Sequence, residues 1–202
     1  MKSVSTKRLP ATERRRSILD AALTILSKKG YAGMTTAEVA RKVGVSEPIL
    51  YRHFSSKRAL LRALLDEVIG QMMASFHQLT AGEPDPVAAL LHICRAYPEM
   101  ALRHRREFRV INQTLVDCSD PKIREALTRH YDAYRAFLQD LIEKGQQTGA
   151  LRRDIPANVG ARHMIHAALG FLMAEEVRTN VRSPKEVEGF AHATLGGLLE
   201  IK

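Results

Sequence analysis

Two cysteines are all that this 202-residue chain contains, and neither Cys94 nor Cys118 belongs to a CxxC pair. A zinc site and a disulfide framework are therefore not indicated, and reduced, buried thiols are the expectation. No run of about 18 uncharged apolar residues occurs, which argues against a membrane-spanning helix. The basic residues near the N-terminus are not followed by an apolar segment of signal-peptide length, so a cytoplasmic protein without a membrane partner is expected. No stretch alternates at period two over a useful length, so no sheet is expected. A glycine-rich phosphate loop, a GxSxG elbow and an HExxH pair are also missing. Asp117, Asp132 and Asp140 read as helix surface or caps, and no catalytic residue or enzyme activity is assigned. His163 and His166 stand three apart, a spacing open to a metal, but no carboxylate or thiol clusters with them, so neither metal nor cofactor is assigned.

The length suffices for a sizeable core, as one domain or two small ones. The charge is unevenly placed: residues 1–62 carry 14 Lys and Arg against 4 Asp and Glu, and the remainder carries 17 against 18. A basic segment joined to a near-neutral one suits a polyanion-binding unit attached to a part with another task.

The most informative stretch is Thr35–Phe54, TTAEVARKVGVSEPILYRHF. Thr35 or Thr36 can cap a first short helix whose inward residues are Val39, Ala40 and Val43. Gly44 permits the positive φ of a tight turn, Ala40 is small where a second helix must pass, and Leu50 anchors that helix from inside. Ser46 is the expected cap of the second helix, and Pro48 falls in its first turn, where an absent N–H costs nothing. Glu47, Ile49, Tyr51, Arg52 and His53 are left outward, a mixture suited to reading base edges and holding phosphates.

This stretch resembles the tetracycline-repressor (TetR) family of bacterial regulators, from about Arg14 to Leu65. The matching residues are Ile18 to Gly30 (ILDAALTILSKKG), Tyr31, Thr35-Thr36, Val39-Ala40, Gly44-Val45-Ser46, Leu50-Tyr51, His53-Phe54 and Ser56-Lys57. The resemblance implies a helix-turn-helix that contacts double-stranded DNA, with Lys57 at a position that holds backbone phosphate. Thr36, Ser46, Tyr51, His53 and Lys57 are the expected phosphate contacts, and Glu47, Pro48 and Ile49 the base-facing residues. Glu47 could accept from a cytosine amino group and Ile49 could touch a thymine methyl. Many members carry glycine or a small polar residue near Pro48 and Ile49, so the base sequence read is left open.

Taken in order, residues 1–12 form a polar, basic arm with Lys2, Lys7 and Arg8, and a helix follows from Glu13 to about Lys29. Arg14, Arg15 and Arg16 at its start oppose the helix dipole and suggest an external anion. Ser55 or Ser56 caps a long helix to about Leu79, apolar over a wide face, which in the family links the two parts mechanically. Further helices are expected over about Val87–Leu102, His104–Val116 and Asp120–Gly145, then from Asp154-Ile155-Pro156 to about Asn180, and from Ser183 to Ile201. The expectation is an all-α protein of about nine helices: an arm (1–12), a three-helix DNA-binding domain (13–58) and a helical ligand-binding and dimerisation domain (59–202).

Large, adaptable side chains mark the candidate ligand pocket. They are Met72, Met73 and Phe76, then Cys94, Tyr97 and Met100, then Phe108 and Ile111, Tyr134 and Phe137, and Met164 and Phe171. The last two helices are apolar on more than one side, and in the family such helices from two subunits form a four-helix bundle. Leu169, Leu172, Met173, Phe190, Ala191, Thr194, Leu195 and Leu198 are the expected dimer contacts. Together these readings describe a homodimeric repressor on an inverted-repeat operator, released by an apolar or amphipathic small molecule. A constitutive or corepressor-dependent DNA binder, and a helical enzyme or carrier with a vestigial head, are the alternatives.

Overall fold

A computed structural model of the chain describes residues 10–177 and 183–198, so Lys2, Lys7 and Arg8 of the arm lie outside the described residues. Among the described residues there are nine helices: α1 (Ala11–Gly33), α2 (Thr36–Val43), α3 (Glu47–His53), α4 (Lys57–Thr80), α5 (Pro86–Arg103), α6 (Arg105–Asp117), α7 (Pro121–Gln147), α8 (Ala157–Glu176) and α9 (Pro184–Gly196). None of them is long and apolar enough to cross a membrane. The expected ends of the last two helices, near Asn180 and Ile201, fall outside the described residues.

The boundaries follow local chemistry. Thr35 and Ser56 accept from the backbone N–H groups of Glu38 and Ala59 at 3.1 and 3.0 Å, and so cap α2 and α4. Asp85 and Asp120 do the same for α5 and α7, and Ser183 forms a reciprocal capping box with Glu186 on α9. Ser46 occupies the cap position of α3, but its hydroxyl makes no capping bond. Gly44 has φ 76° and ψ 33°, which lets the Val45 N–H close back onto the Ala40 carbonyl at 3.0 Å.

The apolar interior divides into two clusters, and the division does not coincide with residue 58. The first joins Ile18, Leu26, Met34, Val39, Leu50 and Phe54 of the head to Leu60, Leu61, Leu64, Leu65, Val68 and Ile69 of α4. It also takes in Val110 of α6, Cys118 of the loop that follows, and Ile123 and Leu127 of α7. The head is therefore seated on the body through buried side chains. The second cluster surrounds Phe76 at the far end of α4 with residues of α5 to α9. Met72 and Met73 touch both, so α4 runs through the two interiors.

On the outside, Arg95 ties α5 to α9: its Nε and Nη2 donate to Glu188 Oε2 and Oε1 at 2.7 and 2.6 Å. The hydrogen bonds from Arg95, aided by His192, hold the Glu188 carboxyl down to about 2 from its ordinary 4.5. A carboxylate whose pKa is lowered on folding contributes stability above its unfolded value, and that contribution disappears as the pH falls through the folded one. Glu188→Gln should therefore lower the melting temperature relative to the native protein at pH 5, and the gap should close between about 4.5 and 2. A gap that persisted at pH 2 in thermal melts would disprove the linkage.

Candidate DNA-contact surface and apolar cavity

The head gathers the expected DNA residues on α2, α3 and the first turn of α4, but gives them unequal freedom. Thr36 Oγ1 donates to Glu47 Oε1 at 2.7 Å and lies 3.1 Å from the Tyr51 hydroxyl. Glu47 is half-buried and engaged through Oε1 in this strut between α2 and α3, and its carboxylate has further lone pairs with which to accept. Pro48 and Tyr51 are exposed, Ile49 and His53 are half-buried, and Ser46 is exposed at the start of α3. Arg52, left out of the expected contact set, is exposed on α3 and has no ion-pair partner among the described residues.

Lys57 begins α4, where the unpaired N–H groups of the first turn add positive potential. Its Nζ sits 4.5 Å from the centre of the Tyr31 ring and 3.5 Å from the Ala32 carbonyl oxygen. Burial pushes the Tyr31 phenol up, reinforced by Cys118 and Asp120, so the ring stays neutral beneath the ammonium group. Arg15 also has an internal occupation, stacking over the Phe54 ring at 5.2 Å and reaching Glu67 at 3.8 Å. That contact replaces the expected external anion as the reason for a cation there.

Two polar links cross between α4 and α7. Arg58 Nη1 lies 3.5 Å from Asp120 Oδ2. Burial raises the Asp120 carboxyl, but the N–H groups of Lys122 and Ile123, together with Arg58, outweigh it and hold the group below its ordinary range. About two turns further along α4, Asp66 Oδ1 lies 2.9 Å from His130 Nε2.

His130 also lines a partly open cavity of about 140 Å³ bordered by α4, α5, α6, α7 and α8. Of the twelve expected pocket residues, Met72, Met73, Phe76, Tyr97, Phe108, Ile111 and Tyr134 line it. The other five do not. Cys94 is buried in the second cluster, where desolvation pushes its thiol up to about 12. Met100 borders a separate shallow hollow near His104. Phe137 meets His77 edge-on with ring centres 4.7 Å apart, Met164 is buried in the second cluster, and Phe171 packs between Tyr97 and Phe190. Sequence reasoning missed Ile69, Asn112, Leu127, His130, Ile165 and Leu169, whose helical spacing with residues it did find was the available signal.

The expected dimer residues divide in the same way. Leu172, Ala191, Thr194, Leu195 and Leu198 are buried in the chain's own interior, Leu169 lines the cavity, and Phe190 packs on Phe171. Only Met173 stands clear, 54 % exposed. It belongs to a stripe on α8 and its end made by Val159, His163, His166, Gly170, Met173 and Val177, with spacings of four and three. Glu186, Gly189, Ala193 and Gly196 form a matching exposed stripe on α9. A Cβ added at Gly170, Gly189 or Gly196 would meet nothing within 4 Å, whereas at Gly160 it would lie 2.9 Å from Leu198. Gly160 is thus small for its own neighbours; the other three have no such neighbour among the described residues.

The family model of bacterial regulatory proteins, tetR family, matches residues 18–64, and that of the YsiA-like protein C-terminal region matches residues 65–184. Over 171 residues the chain is 25 % identical to the nucleoid occlusion factor SlmA of Pasteurella multocida, covering 84 % of this chain and 85 % of that protein. It is 46 % identical over 57 residues to the tetracycline repressor protein class D of Escherichia coli, or 28 % of this chain and 26 % of that one. Among solved structures, the fatty acid degradation regulator FadR from Bacillus halodurans aligns with a TM-score of 0.81 at 16 % identity, over 95 % of this chain and 98 % of that chain. At that identity the likeness concerns the fold alone.

Proposed function

Since the chain belongs to the tetR family of bacterial regulatory proteins, we propose that it is a ligand-responsive, DNA-binding transcriptional regulator that acts as a homodimeric repressor and is released by a small apolar or amphipathic molecule. The observation that carries this reading is the cavity: four of its lining residues, Ile69, Met72, Met73 and Phe76, belong to the helix whose other end holds up the DNA-reading head. A molecule entering there must displace or clamp α4. A rigid helix with buried side chains in both interiors transmits that displacement to the head. A dimerising body with a filled interior, serving a constitutive DNA binder, would have no such space.

The DNA residues of this reading are Thr36, Ser46, Tyr51, His53 and Lys57 for phosphates, Glu47, Pro48 and Ile49 toward bases, and Arg52 as an added phosphate contact. The basic head supports it, with Tyr51 and Arg52 outward and Lys57 held at a helix start. Two-fold pairing through the exposed stripes of α8 and α9 would present two heads roughly 34–36 Å apart, so the operator is an inverted repeat.

Lys57→Ala should weaken binding to every duplex alike and lower the slope of log affinity against log salt by about one unit, because one phosphate neutralisation is lost. Anisotropy titrations at several salt concentrations measure this; an unchanged slope would remove Lys57 from the contact set. The whole reading is tested on an operator selected from random duplexes. Effector and DNA must weaken each other by the same factor, a coupling of about 1–3 kcal/mol. Equal effector affinity for free and operator-bound protein would reject release by ligand.

A further inference from the structure

The cavity has an apolar body and a small set of polar groups, Tyr97, Asn112, His130, Tyr131 and Tyr134, of which Tyr97 and His130 are already committed. No Lys, Arg, Asp or Glu lines it. The Tyr97 hydroxyl donates to the Ala168 carbonyl oxygen at 3.0 Å, and His130 is taken up by Asp66. Asn112 and Tyr131 are half-buried toward the α6 and α7 side.

Tyr134 differs. Its ring stacks on Phe76 with centres 5.0 Å apart and planes 19° from parallel. The residue is half-buried, and its hydroxyl makes no hydrogen bond among the described residues. That oxygen is not among the side-chain atoms sealed off from a water-sized sphere. The residue itself lines the cavity. A buried hydroxyl without a partner is costly and uncommon in folded proteins. Burial, with the Cys94 thiol nearby, pushes the Tyr134 phenol well above its ordinary range, so the group keeps its proton and offers it.

We propose that the Tyr134 hydroxyl is the hydrogen-bond donor that recognises the effector, whose inner end is uncharged and carries an acceptor oxygen, as in a ketone, ester, ether or alcohol. The proposal rests on the cavity being the effector site. A carboxylate is disfavoured at this depth because no free cation faces it and a desolvated charge needs one. An apolar tail satisfies the walls, and the single acceptor satisfies the phenol. A site that holds such a donor discriminates against a ligand that lacks the acceptor, because the donor is then left unpaired.

The cavity volume of about 140 Å³ is close to that of cavities that admit a benzene ring, so small probes suffice. Cyclohexanone and methylenecyclohexane have nearly the same shape and differ in one oxygen; cyclohexanecarboxylate adds a charge. Each is titrated calorimetrically into the full-length native protein and into Tyr134→Phe, which keeps the ring on Phe76. The methyl resonances of Met72 and Met73 report whether the probe enters the cavity. Tyr134→Phe should weaken cyclohexanone about tenfold, the worth of one hydrogen bond. It should leave methylenecyclohexane within about twofold, and the carboxylate should bind neither protein measurably. Equal weakening of both rings, or none of the ketone, overturns the role of Tyr134, and carboxylate binding as tight as the ketone's overturns the neutral ligand class. If neither ring compound shifts the Met72 and Met73 methyls, the cavity itself is not the effector site, and that reading falls together with this one.

Discussion

Gly170→Arg should convert the protein from dimer to monomer and lower its affinity for a full inverted-repeat operator about 10²–10⁴-fold, the gain that joining two binding units provides. Gly170 is exposed, and nothing in its own chain comes within 4 Å of a Cβ built there. Glycine in a helix interior is less favourable than most residues by up to about 1 kcal/mol, so its own helix gains nothing from it. On α8 it lies between His166 and Met173 in the stripe that ends at Val177, whose side chain is 69 % exposed. A close-packed partner helix makes use of both the missing side chain and the exposed apolar ones. An arginine there would hold that helix away and leave a charge in the contact, while the protomer's fold should be unharmed or slightly steadied. Gly160→Ala is the contrasting variant, since its Cβ would press on Leu198 and Ile142 within the chain. Sedimentation equilibrium decides the matter: a Gly170→Arg protein that stays dimeric would move the interface elsewhere.

Leu50→Ala is expected to destabilise the head by about 3–5 kcal/mol and to abolish operator binding. Leu50 is 0 % exposed and lies among Met34, Val39 and Phe54 at the crossing of α2 and α3. The helix carrying the outward residues is only seven residues long. Such a helix has little stability of its own and depends on what it buries. The cost should fall on the head, because the second cluster around Phe76 contains none of these residues. Urea unfolding followed by a signal from the head should shift by this amount, while ligand entry at Met72 and Met73 persists. Retention of operator binding with the stability loss would mean that α3 is held by something other than Leu50.

The unequal legibility of the chain has a physical pattern. Thr35, Gly44, Ser56, Asp85, Asp120 and Ser183 each act within about one turn of their own position, by capping a helix or reversing the chain. Their roles could be read from spacing alone, and the head resembled its family for the same reason. The internal contacts of Glu47 and Arg15 were not legible because their partners come from other helices. Thr36 lies eleven residues from Glu47, and the Phe54 ring that Arg15 covers arrives only after two intervening helices.

The pocket and the dimer face show the same limit more sharply. Met72, Phe76 and Tyr134 line the cavity, whereas Cys94, Met164 and Phe171 are packed shut, although all six look alike as large apolar or polarisable positions on helices. On α9, Ala191 and Leu195 face inward while Gly189 and Ala193 face out, a choice between two small or apolar sides of one helix. The residue order by itself determined the all-helical class, the helix ends, the reading head and the basic-to-neutral charge division, because these depend on chain-local geometry and on counts. Only the tertiary structure decided which apolar side is covered, where a gap remains and which hydroxyl is left without a partner. Those outcomes depend on how helices far apart in sequence come to rest against one another.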